Sequence, residues 1–277
     1  MLDRFARGWA LAKASFHVLR LDTEMLLLPV LSGIIMILIA AGVFAPLLFS
    51  ALARPGSVSA GLLLAAYLVV HFAGYFVVIF FNAAVVHMAT IRFDGGDPVL
   101  KDGLRASKEN WRLIAQWAVV AATVGLVLHV LQSAARERGG FIGQILASVL
   151  QTAWNAIVYF VVPLLVYRKM GPMQAIKESG SLIRRTWGET LAGEVGVGFV
   201  FLLLGLAGVL VLVAGSVLGG SGLVMLGLLA AVVVYWLLLA VTYSAAQGVL
   251  TAALYKYATT GQVPQGFDRG LVARAIV

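Results

Sequence analysis

Acidic and basic side chains are missing from residues 25–53, 55–91, 113–135, 139–167 and 195–255. That pattern narrows the choice of folds more than any other feature of the chain. Crossing the hydrocarbon of a bilayer as a helix takes about 20 apolar residues, so each of the first four runs supplies one span. The fifth is long enough for two, and Gly219-Gly220-Ser221-Gly222 divides it near its middle. The expected spans are 25–51, 60–90, 112–133, 142–167, 191–214 and 223–256. None alternates polar and apolar residues with period two, which excludes a transmembrane β-barrel. Ala51-Leu52-Ala53 resembles a signal-peptidase site, but the preceding apolar run is too long for a leader, so a retained first span is expected.

Composition agrees with lipid as the solvent. Charged residues make up 12% and apolar residues 61% of the chain, against about 25% and 45–50% in soluble domains. A water-soluble fold with so little charge could not cover its surface. Cysteine is absent, which removes disulfides, thiolate nucleophiles and sulfur-bound metals from consideration.

The net charge of +8 is sorted by side. The segment before span one, the 2–3 and 4–5 connections and the tail after span six carry 17 of the 20 Lys and Arg residues. The opposite side holds Arg54, Arg136 and Arg138. Lys and Arg accumulate in cytoplasmic loops, so both ends are expected in the cytoplasm. Charge placed this way reads as membrane orientation, and no nucleic-acid partner is expected.

Each segment before an odd-numbered span is amphipathic. Apolar stripes run through Leu2, Phe5, Trp9, Ala12, Phe16 and Leu19, then Leu100, Leu104, Ser107 and Trp111, then Met173, Ile176, Gly180, Ile183 and Trp187. Their steps of three and four are helical. Arg4, Arg7 and Lys13 flank the first stripe, Lys101, Arg105 and Lys108 the second, and Lys177, Arg184 and Arg185 the third. Short basic helices with Trp and Phe on one face suit the headgroup layer, above all one of anionic lipid, and these nine residues are the expected headgroup contacts. The alternative is a set of connecting helices packed on the underside of the bundle.

The even-numbered spans resemble one another as well. Asn82, Asn155 and Gln247 lie 16 or 17 residues before Pro98, Pro172 and Pro264, with Arg92, Arg168 and Lys256 in between. The chain therefore reads as one membrane domain, 1–277, of three helical hairpins at about 1–92, 97–168 and 171–257, followed by a tail from 258 to 277.

Gly171-Pro172-Met173-Gln174-Ala175-Ile176-Lys177-Glu178-Ser179, running on to Trp187, and the weaker copy from Asp97-Pro98 to Trp111 resemble a broad set of poorly characterised bacterial six-span membrane proteins. That set is similar to the membrane domain attached to some glycerophosphoryl diester phosphodiesterases. The resemblance implies a membrane fold in the bacterial inner membrane without an assigned reaction. The phosphodiesterase catalytic domain has no counterpart in this sequence.

Polar groups within the spans are few. His71, Asn82 and His87 lie in span two, His129 and Gln132 in span three, Gln144, Gln151 and Asn155 in span four, and Gln247 in span six. Counting from the next basic residue places the three amides roughly 14–20 Å from the cytoplasmic interface. An unpaired amide there costs on the order of 1–3 kcal/mol. Asn82, Asn155 and Gln247, with His71 and Gln151, are therefore expected to form a polar cluster, as interhelical glue or as the lining of a path for a passive channel or transporter. No carboxylate or fixed cation lies within a span, which argues against ion-coupled pumping.

Catalytic signatures are equally sparse. Gly219-Gly220-Ser221-Gly222 matches the Gly-x-Ser-Gly of rhomboid-type intramembrane proteases, with His129 on the same half of the bundle, but a tight turn needs those small residues anyway. No enzyme activity, cofactor or metal is expected. Gly198, Gly205, Gly208, Gly215 and Gly219 form one stripe on span five, where close helix contact is made either with span six or with a second protomer or partner membrane protein. The expectation is an all-α six-span protein acting as a lipid-interacting scaffold or accessory subunit.

Overall fold

The computed structural model describes residues 2–138, 140–187, 195–217 and 222–273. Its helices are α1 (Leu2–Leu21), α2 (Glu24–Ala53), α3 (Ala60–Phe93), α4 (Leu100–Glu109), α5 (Trp111–Arg138), α6 (Gly140–Val158), α7 (Val161–Tyr167), α8 (Pro172–Trp187), α9 (Val195–Val217), α10 (Gly222–Thr260) and α11 (Arg269–Ala273). Six helical stretches among the described residues are long and apolar enough to cross a membrane, in α2, α3, α5, α6–α7, α9 and α10. The expected spans are all present. The first residues expected for span five, 191–194, lie outside the described residues.

Span four breaks between α6 and α7. Pro163 has no N–H to return to Tyr159, so the helical ladder opens there. Tyr159 N instead donates to Ala156 O at 3.2 Å, and Phe160 N donates to Ser179 Oγ of α8 at 3.0 Å. A side chain from another element thus accepts the Phe160 N–H where the ladder opens.

Burial divides the molecule along its length. Large exposed apolar side chains run from Leu27 to Leu52 on α2, Leu62 to Val78 on α3, Trp111 to Leu131 on α5 and Ile142 to Ile157 on α6. They continue from Leu202 to Val217 on α9 and Leu223 to Leu238 on α10. Each strip is about 22–38 Å long at 1.5 Å per residue, bracketing the ~30 Å hydrocarbon layer. The packed core lies beyond this band, toward the end carrying most of the basic residues. It is built from Ala83–Ala89 of α3, Phe160–Val166 around α7 and Ala245–Tyr255 of α10. α3 has 34 residues and α10 has 39, about 51 and 58 Å of helix. Both overshoot a bilayer and carry the bundle out of it at the basic end.

The amphipathic helices pack on this core. α1 lies against α9 and α10, α4 against α3, and α8 against α6 and α7. α4 returns antiparallel along α3: Gly103 sits against Ala84 and Met88, and Ser107 Oγ donates to Phe80 O at 2.8 Å. The faces turned inward overlap the expected stripes only in part: Ala12, Leu19, Ser107 and Ile183 are buried as expected. α1 buries Leu11, Ser15 and Val18 while Trp9 and Phe16 are exposed, and α8 buries Ala175, Ser179 and Leu182 while Met173 is exposed. α4 buries Gly103, Ala106 and Ser107. In each case the packed face is shifted from the expected stripe by less than one residue, under about 100°. The cause is close approach: small residues and serine fit against a neighbouring backbone, and the larger aromatics are left at the surface.

Ion pairs fasten the basic end. Arg92 Nε and Nη2 donate to both carboxylate oxygens of Asp22, and Nη2 also reaches Asp97. Lys256 Nζ donates to Asp94 Oδ1 at 2.6 Å and to Phe93 O at 3.0 Å. Glu178 accepts from Arg168 at 3.0 Å and lies 3.5 Å from Arg185. The three basic residues that close the even-numbered spans are therefore all ion-paired.

Candidate functional site: an uncharged polar crevice between four spans

A crevice of about 790 Å³ opens between α2, α3, α5 and α6. Most of its wall lies within the exposed apolar band, yet the lining is rich in polar groups. α3 contributes Tyr67, His71 and Tyr75, α5 contributes Trp117, His129 and Gln132, and α6 contributes Gln151, Trp154 and Asn155. Spacings of four residues, as in Tyr67–His71–Tyr75 and Gln151–Asn155, put successive polar side chains on one face of a helix.

The groups are held by one another. Gln132 Nε2 donates to Gln151 Oε1 at 3.0 Å, and Gln151 Nε2 donates to Asn155 Oδ1 at 2.8 Å. This amide chain joins α5 to α6; it uses one group each of Gln132 and Asn155 and both a donor and the acceptor oxygen of Gln151, leaving the remaining donors and lone pairs to meet a ligand. His71 Nε2 lies 3.2 Å from Ala122 O, a contact that requires its proton on Nε2 and leaves Nδ1 as acceptor. The His71 ring is flanked by Tyr67 at 5.6 Å and Tyr75 at 5.0 Å. Trp117 and Trp154 stack at 6.2 Å. Gly125 has no side chain where the Tyr75 hydroxyl seats, so a Cβ there would collide with it. Among the described residues no Asp, Glu, Lys or Arg lines the crevice. Among the described residues no group of three or more His, Cys, Asp or Glu could hold a metal ion.

The expected cluster is thus assembled in part. His71, Gln151 and Asn155 share the crevice, whereas Asn82 and Gln247 are not among its lining residues. Asn82 lies near Gly248 of α10, and Gln247 Nε2 donates to Tyr243 OH on its own helix at 2.9 Å. The depth assigned from the sequence fails for a physical reason. The basic residue closing each span does not mark the edge of the apolar band, because α3 and α10 extend well past it before reaching Arg92 and Lys256. Asn82 and Gln247 therefore belong to the packed basic end, and Asn155 to the band.

Other sequence candidates fall as follows. Lys13, Lys101, Arg105, Lys108, Lys177, Arg184 and Arg185 are exposed, while the side chains of Arg4 and Arg7 lie outside the described residues. The span-five glycines meet α10: a Cβ on Gly208 would stand 2.7 Å from Trp236 Nε1, and one on Gly215 would meet Leu228. Trp236 Nε1 also donates to Gly205 O at 3.1 Å, and Gly198 faces Tyr243. The intrachain contact accounts for these four positions. Gly219 and Ser221 lie outside the described residues. His129, expected on the same half of the bundle as Ser221, lines the crevice.

Sequence reasoning missed Tyr67, Tyr75, Trp117 and Trp154. The four-residue spacing of Tyr67 and Tyr75 about His71 was the available signal.

Six long apolar helices, an apolar belt of bilayer height and a packed basic end define a multi-pass α-helical membrane protein. Within that class the chain belongs to the DUF6159 family, a family of unknown function, whose model matches residues 58–266. No curated protein and no solved structure matches it.

Proposed function

We propose that this is a non-catalytic, lipid-handling protein of the bacterial inner membrane that binds an amphiphile with an uncharged polar head in the crevice. The observation carrying this reading is the crevice itself, ligand-sized, open within the apolar belt and lined by neutral donors and acceptors. Burying a charged headgroup there would leave the charge unpaired, at a cost of several kcal/mol. A hydroxyl or ester head can instead bond the free positions of Gln132, Gln151 and Asn155 while its chains remain in lipid.

In this reading the basic end faces the cytoplasm, as the distribution of Lys and Arg requires, and the protein consists of three related hairpins. Supporting the repeat, Lys13–Ser15, Arg105–Ser107 and Lys177–Ser179 keep the same spacing, and all three serines are fully buried. Each amphipathic helix also packs on the hairpin that precedes it, with α1 closing the ring onto α9–α10.

The test uses a photoactivatable diacylglycerol in proteoliposomes of the full chain. Crosslinks are expected within residues 117–158, competed by unlabelled diacylglycerol and reduced by Gln151→Leu/Asn155→Leu but not by Thr152→Leu on the exposed side of α6. Equal crosslinking of all variants would overturn the reading. So would glycerol flux abolished by the double substitution, which would make the crevice a permeation path.

A further inference from the structure

A second cavity, of about 530 Å³, lies where α1 crosses α9 and α10. Its floor is apolar, formed by Val200, Phe201 and Leu204 of α9 with Leu238 and Leu239 of α10. Its α1 wall carries Trp9, Phe16, Lys13 and Arg20. These residues are the ones left outside by the rotation of α1, whose opposite face packs through Leu11, Ser15 and Val18. The Arg20 guanidinium carbon stands 5.1 Å from the Phe16 ring centre, a cation–π contact that restrains the side chain. Among the described residues, neither Lys13 nor Arg20 is ion-paired.

The position of the cavity identifies its occupant. Among the described side chains, Leu202 and Leu238 mark the basic-end limits of the exposed apolar strips on α9 and α10. The groove thus straddles the level at which hydrocarbon gives way to headgroups, with its apolar floor on one side and two cations on the other. Trp9 beside them is the residue type that settles at this boundary. We infer that the groove is a binding site for one anionic phospholipid of the surrounding leaflet. Its phosphate would be held by Lys13 and Arg20, and an acyl chain would lie along Phe201, Leu204, Leu238 and Leu239. The site is separate from the crevice and opposite in chemistry, being cationic where the crevice is neutral.

Native mass spectrometry tests this on the full chain released from bilayers of equal phosphatidylglycerol and phosphatidylcholine. The expected result is one retained phosphatidylglycerol per chain, with its preference over phosphatidylcholine lowered about tenfold by Lys13→Gln/Arg20→Gln, since each basic residue near the surface contributes measurably to anionic-lipid attraction. Lys13→Arg/Arg20→Lys should keep the preference. Lys101→Gln/Lys108→Gln, which removes equal charge from α4, should also keep it. Leu204→Trp, filling the floor without altering charge, should displace the lipid. Equal losses from the two Gln pairs would reduce the effect to bulk surface charge and overturn the site. Phosphatidylglycerol retention unchanged by Leu204→Trp, or dimers lost in Lys13→Gln/Arg20→Gln that show a second chain in the groove, would overturn it as well. Diacylglycerol crosslinking at the crevice is read independently and does not depend on these outcomes.

Discussion

Gly103→Ala tests the contact that seats α4 on α3. A Cβ at position 103 would stand 2.9 Å from Ala84 O and 3.0 Å from Met88 Cγ. The methionine can move, but the carbonyl belongs to the backbone of α3 and cannot yield without shifting the helix. Overpacking of this kind costs about 1–3 kcal/mol, against a gain of up to about 1 kcal/mol from replacing glycine inside a helix. The net expectation is a loss of about 1 kcal/mol. Gly33→Ala on α2 is the control: nothing lies within 4 Å of its Cβ, so only the propensity gain of up to about 1 kcal/mol remains. The two variants should differ by about 2 kcal/mol, or roughly 4–8 °C in midpoint for a chain of this size. Thermal unfolding of the detergent-purified protein, followed by the fluorescence of its six tryptophans, reads the difference. If Gly103→Ala melts at or above Gly33→Ala, the close approach of α4 to α3 is refuted.

Three further outcomes are expected. Removing either partner of the bidentate Arg92–Asp22 pair, as Asp22→Asn or Arg92→Gln, should cost about 1–3 kcal/mol because Asp22 is only 5% exposed; losses that simply add in the double variant would show that the two do not act together. Gly208→Leu should lower thermal stability more than Ala207→Leu, since position 208 faces Trp236 and 207 is exposed; equal melting of the two would remove the glycine face from the α9–α10 contact. For orientation, a cysteine replacing exposed Ser57 should react with an impermeant reagent on intact cells while one replacing Lys108 should not. Lys108 is exposed, and labelling at 108 would reverse the assigned topology.

Span number, span type and charge asymmetry were legible from composition along the chain, since whether a segment of 20 residues partitions into lipid depends on those residues alone. The helical period of the basic segments could be read in the same local way. How far each inward face is turned from its stripe could not: the choice of Ser15 over Phe16 and of Ser179 over Met173 depends on how closely a partner backbone approaches, as at Gly103 and Ala84. Asn82, Asn155 and Gln247 show the same limit. Their similar distances from a proline are a property of the chain, whereas their separation into a packed end and an open crevice depends on how far α3 and α10 extend past the apolar belt. His71, Gln151 and Asn155 were each recognisable as costly in hydrocarbon. Only the packing of four spans brought them to one cavity, because each polar side chain must find partners on whichever helices the bundle places beside it.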